Sequence, residues 1–321
     1  MKNSKSYIRP ALGTLLLAAL VLAGGCVKRE LEMRSDEGRV EIALDWGGDT
    51  RPQTARFLFY DQAGTLVKEE TGLTDGFKGM LPTGTYRVVV HNTDARQVDY
   101  RGTEKYERAE VFAQHTNYSD GHHPSEGIPC VLEPQLVFGT GRLNEGDEIV
   151  VKQLETSCMT VTPVLLTKQV VFHFTVEGDA TAVQSLTGVL EGVAPGMFLS
   201  NGTHNASSSC ALEFTAAPET KAAETDYIAG MSVFQLLTTA TSPAGTNKLT
   251  ATLTLSDGSK VSGTFDLTET LKKIILDNDG TFPDQIPLGI TLRMVSLDDL
   301  SATVTPWDDS GTGSGDPRPQ P

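Results

Sequence analysis

The run Leu81-Pro-Thr-Gly-Thr-Tyr86-Arg-Val-Val-Val-His-Asn92 decides the fold class. Proline at 82 fixes one turn residue and glycine at 84 can supply a positive φ, so the chain is expected to reverse tightly there. Beyond the turn Tyr86, Val88 and Val90 recur at period two, which places them on one face of an extended strand.

The same period extends upstream. Val40, Ile42, Leu44 and Trp46 alternate with Glu41, Ala43 and Asp45, the mark of a half-buried strand, and Gly47-Gly48-Asp49 breaks it. Ala55 to Tyr60 (ARFLFY) reads as a second strand, Asp61 to Gly64 as its turn, and Thr65 to Glu69 as a returning strand. Downstream, from Asn92 to Pro129, the pattern weakens. Tyr100, Tyr106, Phe112, His115, Tyr118, His122 and His123 are scattered through polar sequence, which predicts either a long functional excursion or two short strands with generous loops. Strand character returns over Val131 to Phe138, Glu148 to Leu154 and Ser157 to Leu166. Pro163 interrupts the last of these and places a domain boundary around Thr162 to Thr167.

The second half opens on Gln169 to Val176 (QVVFHFTV), with Val170, Phe172, Phe174 and Val176 facing one way. Val183 to Glu191 follows, then an Ala194-Pro-Gly-Met197 turn and a loop rich in Asn, Gly and Ser from Ser200 to Ser209. Leu249 to Leu255 (LTATLTL) is the cleanest alternation in the chain, and Asp257-Gly258 turns it back into Val261 to Leu267. Asp266 and Glu269 ahead of LKKIIL fit either a capping box on one short helix or a further strand. Ile290 to Leu297 and Ser301 to Trp307 complete the strands, and Asp308 to Pro321 has the composition of a disordered tail. The expected architecture is all-β: two β-sandwiches in series, at 39–164 and 165–307.

At the N-terminus Lys2, Lys5 and Arg9 precede an apolar run ending Leu22-Ala-Gly-Gly-Cys26, which reads as an export signal over 1–25. The run is short for a bilayer span and is interrupted by Gly13, Gly24 and Gly25. Its end resembles a bacterial lipobox, with Cys26 as the lipid acceptor, although Ala23 occupies the slot where leucine is usual. Residues 26–38 then form a charged tether. Removing 1–25 takes three cations and no anions from a net charge of −15, leaving −18. So acidic a surface is a poor partner for nucleic acid or anionic lipid, and none is assigned. With Cys26 acylated, Cys130, Cys158 and Cys210 remain, an odd number that allows at most one bridge.

No catalytic set is legible: GxSxG, HExxH, the phosphate-cradling GxxxxGK[ST] and CxxC are all missing. His115, His122 and His123 with Glu126 could bind a transition metal, but adjacent imidazoles rarely point at one ion and a solvated loop is the expectation. Asp277-Asn-Asp-Gly280 begins like a calcium loop, yet Leu288 stands where the closing glutamate belongs, so an ordinary turn is expected. Trp46 and Trp307 are expected at core or edge positions. Neither metal nor cofactor is assigned, and Cys26 is the one residue given a chemical role.

The chain resembles the fimbrillin-like lipoproteins of Bacteroidales, their fimbrial anchor and accessory subunits and relatives. The residues that carry this are Cys26 followed by Arg29 to Leu31, VEIALDW, ARFLFYDQAG, LPTGTYRVVVHN, VVFHFTVEG, LTGVLEGVAPGMFLSNG and VTPWDDSG. The LPxGTY start is also similar to transthyretin-like domains. The resemblance implies two transthyretin-like sandwiches on an outer-membrane surface lipoprotein, non-catalytic, with other fimbrial subunits as partners through strand addition. It also implies that an arginine-specific cut at Arg34 or Arg39, just before the first strand, would distinguish a polymerising subunit from an anchor that keeps its lipid. The alternative is a surface glycan-binding or nutrient-capture lipoprotein using Tyr100, Tyr106 and Tyr118.

Overall fold

The computed structural model describes residues 36–47, 51–119, 125–140, 148–177, 182–205, 208–219, 226–237, 246–296 and 299–307. The signal, Cys26, Arg34, His122, His123 and the tail 308–321 lie outside them. The protein is all-β. The first half contains β1 (Glu37–Leu44), β2 (Thr54–Tyr60), β3 (Leu66–Leu73), β4 (Gly76–Pro82), β5 (Gly84–Asn92), β6 (Val98–Arg101), β7 (Glu110–Ala113), β8 (His115–Thr116), β9 (Cys130–Val131), β10 (Phe138–Gly139), β11 (Glu148–Val151), β12 (Thr156–Val161) and β13 (Val164–Leu165). The second contains β14 (Lys168–Glu177), β15 (Val183–Val193), β16 (Gly196–Phe198), β17 (Cys210–Pro218), β18 (Asp226–Val233), β19 (Lys248–Leu255), β20 (Lys260–Asp266), helix α1 (Thr268–Asp277), β21 (Gln285–Ser296) and β22 (Asp299–Pro306).

An outer sheet, β12-β1-β4, packs on a middle sheet, β13-β10-β5-β2-β3, in which β11 also pairs with β5. Pro82 to Gly84 is therefore not a hairpin but the corner where the chain passes from one sheet to the other. The Tyr86 hydroxyl closes the corner by donating to the Pro82 carbonyl at 3.0 Å. Between the sheets lie Val40, Ile42, Phe57, Phe59, Phe77, Leu81, Val88 and Val90. The Phe77 ring sits 5.6 Å from Phe57 and 4.9 Å from Phe59.

The intervening residues Leu58, Tyr60 and Val89 are also buried, in a second core shared with Val98, Val111, Val137, Leu166, Phe172 and Leu190. The middle sheet is thus covered on both faces. This explains why ARFLFY and RVVVHN carry apolar residues at consecutive positions and do not alternate strictly.

The second core is enclosed by a long sheet ordered β20-β19-β15-β17-β18-β14-β21-β22. At β17 and β18 the pairing narrows to Ala217–Ile228 and Pro218–Tyr227, and the sheet turns a corner. Its two arms close face to face, with Phe172 and Phe174 of β14 at 5.5 and 5.8 Å from Phe214 of β17. The proposed division into 39–164 and 165–307 is crossed by backbone pairing: β7 pairs with β16, and β9 runs parallel to β17. The described residues of the 92–129 stretch form short strands joined by loops and pack mainly into the second core.

Several boundaries differ from expectation. Val131 to Phe138 is not one strand but the two-residue strands β9 and β10, because Pro134 between them has no N–H for a ladder. Ser157 to Leu166 splits in the same way at Pro163. The Asp266 segment is the helix: Asp266 Oδ1 accepts the Thr268 N–H at 2.8 Å, while Glu269 pairs with Lys272 at 2.7 Å and does not reach back to complete a capping box.

Candidate functional site

The feature that stands out is the seat of β1. It lies in the centre of its sheet, parallel to β12 from Arg39–Thr156 to Leu44–Val161, and antiparallel to β4 from Glu37–Pro82 to Ala43–Gly76. Its ends are fastened as well. Arg39 N–H donates to Glu155 O at 2.8 Å, Thr83 N–H to Asp36 O at 2.9 Å, and Asp45 N–H to Val161 O at 2.9 Å. An N-terminal strand inserted between two others satisfies three backbones at once, so removing it would leave facing edges on β12 and β4 with unpaired N–H and C=O groups.

Side chains give the seat its register. Val40 is fully buried and Ile42 is 3% exposed, both against Phe77 and the middle sheet. Burial of two such aliphatics stabilises the seated strand by roughly 3–6 kcal/mol before ordering costs. Glu41, facing outward, reaches Lys78 at 3.5 Å, a solvated pair of small energetic weight. Gly76 is held at φ +140°, and a Cβ there would lie 2.0 Å from the Ile42 carbonyl oxygen, so glycine is required for β4 to approach β1. On the outward face Ala43, Gly76 and Thr160 form one row of small residues, the floor of a depression of about 780 Å³ walled by Glu41, Lys78 and Leu73.

Arg39 is placed differently from expectation. It is the third residue of β1 and not a linker residue before it, because the alternating pattern already begins at Glu37.

The tyrosines do not form a common platform. Tyr100 lies over His91 at 4.2 Å and donates to Asn92 O at 3.0 Å. Tyr106 packs edge-on to Tyr60 at 5.5 Å beneath Arg87, and Tyr118 donates to Ile128 O at 2.9 Å. Burial pushes the phenols of Tyr100 and Tyr118 well above their ordinary range. These side chains hold loops and strands, and that role explains tyrosine in otherwise polar sequence.

His115 is exposed on β8, opposite Val131. Among the described residues no three His, Cys, Asp and Glu side chains stand together where a metal ion could be held. Asp277 to Gly280 is the C-terminal turn of α1: Gly280, at φ +80°, donates its N–H to Ile275 O at 2.9 Å, and Leu288 is buried in β21. Trp46 is 5% exposed and donates its indole N–H to Thr74 O at 2.8 Å, whereas Trp307 is 40% exposed. Cys158 is exposed and Cys130 and Cys210 are buried, all three as thiols.

Comparison with known proteins adds three relatives. A Bacteroides ovatus protein provisionally named fimbrium anchoring subunit Fim4B is 33% identical over 106 residues; the match spans 32% of this chain and 32% of that protein, about a third of its length. The solved structure of a provisionally named adhesin from Bacteroides ovatus is 21% identical, with a TM-score of 0.55 over 90% of this chain and 99% of that one. A provisionally named polysaccharide-binding protein from Bacteroides thetaiotaomicron gives 11% identity and a TM-score of 0.52 over 86% and 100%. The two solved structures share the fold, so the β-sandwich architecture expected from the sequence is also theirs. A family model described as a domain of unknown function, DUF5119, matches residues 25–214, more than half of the chain, and the chain belongs to that family.

Proposed function

We propose that the protein is a cell-surface lipoprotein of the outer membrane that serves as a fimbrial anchor or accessory subunit, without catalytic activity. It is held by lipid on Cys26 and joined to other fimbrial subunits by strand addition. The observation that carries the assembly role is the seat of β1, an N-terminal strand lodged between β12 and β4 and separated from Cys26 by ten residues, 27–36. The partial match to a protein named for fimbrium anchoring supports the same reading. Among the described residues no helix is long and apolar enough to cross a membrane.

In this reading the fate of β1 separates anchor from polymerising subunit. A cut after Arg39 would leave Val40 to Leu44 in the sheet, so the strand would be shortened and not released. Freeing it whole requires a cut beyond Leu44, where the first arginine is Arg51. Intact-mass analysis of protein taken from its native membrane tests this directly. An anchor yields a diacylated Cys26 N-terminus; a polymerising subunit yields a terminus near residue 52. An unlipidated chain retaining residues 1–25, or fimbriae unchanged in length and retention after deletion of the gene, would defeat the proposal.

A further inference from the structure

We infer that the outward face of β14, β21 and β22 binds a neutral glycan chain, with Trp307 as its aromatic platform. The registers of these strands set three rows of outward residues side by side. His173, Gly289 and Thr305 form the first, Thr175, Thr291 and Thr303 the second, and Glu177, Arg293 and Ser301 the third. Trp307, just past the end of β22, leans over the first row and stacks on the His173 ring at 4.4 Å with an interplanar angle of 8°.

Gly289 makes that pose possible. A Cβ at this position would meet Trp307 Cε3 at 3.0 Å and Thr305 Oγ1 at 3.1 Å, so even alanine would make the indole shift by a few tenths of an ångström from this close seat. The ring is therefore set in place before any ligand arrives, which lowers the ordering cost of binding. With 40% of its surface open, against 5% for Trp46, it offers water a flat apolar area that a pyranose C–H face can cover.

Around the platform the chemistry is that of a hydroxyl-recognising surface. Thr303, Thr305 and Ser301 are exposed, and the Arg293–Glu177 pair, at 2.6 Å, presents donors and acceptors with little net charge. Outward residues on one strand are about 6.6 Å apart, so three rows extend about 13 Å, long enough for a short oligosaccharide. Charge narrows the ligand further. A chain with a net charge of −15 repels acidic polysaccharides at long range, which leaves neutral glycans as the class this face fits.

The two tryptophans make a direct test possible, because one is buried and the other is on the proposed site. Purified mature chain carrying Trp46→Phe, so that Trp307 alone fluoresces, is titrated with a panel of neutral hexasaccharides of glucose, xylose, mannose and galactose, with acrylamide as quencher. The expected result is strong quenching without sugar, protection by at least one member of the panel, and at least tenfold weaker binding of that sugar to Trp307→Ala by calorimetry. Thr291→Ala/Thr303→Ala, which leaves the indole in place, is expected to weaken it severalfold, and decides the matter if Trp307→Ala does not fold. The inference is overturned by binding that is absent across the panel at millimolar sugar, or unchanged in these variants. It is equally overturned if Trp307 is shielded from acrylamide without sugar, since the face would then be covered by the chain itself or by a second copy. None of these readouts involves fimbriae, so the result stands apart from the assembly role.

Discussion

Asn92 accepts the Phe138 N–H on its side-chain oxygen at 2.8 Å, and this bond ties the end of β5 to β10 where the two cores meet. The same side chain donates from Nδ2 to Leu136 O and to Asp94 Oδ1, both at 2.8 Å, so every polar atom of a fully buried amide is used. Replacing it by alanine leaves the buried Phe138 N–H with no partner, at about 1–3 kcal/mol, while the Leu136 carbonyl, on a half-exposed residue, can turn to water. Asn92→Ala is therefore expected to lower unfolding stability by about 1–3 kcal/mol, read as an earlier urea midpoint. A midpoint within error of the parent would mean that the junction is held by apolar packing alone.

His91, the preceding residue, sets an acid limit. It is 1% exposed, its Nδ1 lies 2.8 Å from Asn92 O, and Arg56 faces it from the adjacent strand. Burial above all, opposed by the Asn92 backbone bond and reinforced by the Arg56 charge, lowers its pKa from 6.5 to about 4. The sign follows from proton binding. Below pH 6.5 the unfolded chain takes up a proton that the folded chain refuses until about pH 4, so stability is full above 6.5 and falls across that window. The loss between pH 7 and pH 5 should be about 2 kcal/mol. Comparing urea midpoints at the two pH values, His91→Phe should remove most of that difference. An equal pH slope in both proteins would assign the acid sensitivity to other groups.

The outer sheet offers a contrast between two neighbours on one strand. Ile42 points into the core and Glu41 points out toward Lys78. Ile42→Ala should cost about 2–5 kcal/mol, the range for deleting a buried aliphatic chain. Glu41→Ala should stay within about 0.5 kcal/mol, as for an exposed ion pair. If the two substitutions had similar effects, β1 would not be seated in the described register.

How much of this was legible in the residues varies by element. Strands with one solvated face, such as β1 and β19, declare themselves by alternation, and Asp257-Gly258 marks its hairpin because Gly258 takes φ +85° and Asp257 Oδ1 accepts the Ser259 N–H. The β17 and β18 pair was not legible: CALEFTAAP and DYIAGMSV are diluted by alanine and glycine, whose small side chains suit close packing but carry no strong period. The central place of β1 was hidden for another reason. Its partner β12 lies more than a hundred residues away and runs parallel, and neither distance nor direction is written in local pattern. For Trp307 the sequence suggested a core or edge position, but its stack on His173 lies over Gly289, a residue of no apparent consequence until the strands are paired.

Thiol reactivity should divide the three described cysteines unequally. Cys158 is exposed on the outward face of β12, while Cys130 and Cys210 are each 2% exposed or less. Burial drives the Cys130 thiol up to about 11 and the Cys210 thiol higher still, so neither supplies thiolate at neutral pH. They also lie on opposite faces at β17: Cys210 points into the second core with its Sγ 3.2 Å from Val193 O, whereas Cys130 pairs with Ala211. In this register the two remain free thiols. With Cys26 replaced by serine, a charged maleimide should modify one thiol rapidly in the folded protein and three in urea, with Cys158→Ser abolishing the rapid phase. Detection of a Cys130–Cys210 bridge by mass spectrometry after folding in air would contradict the strand register at β9 and β17.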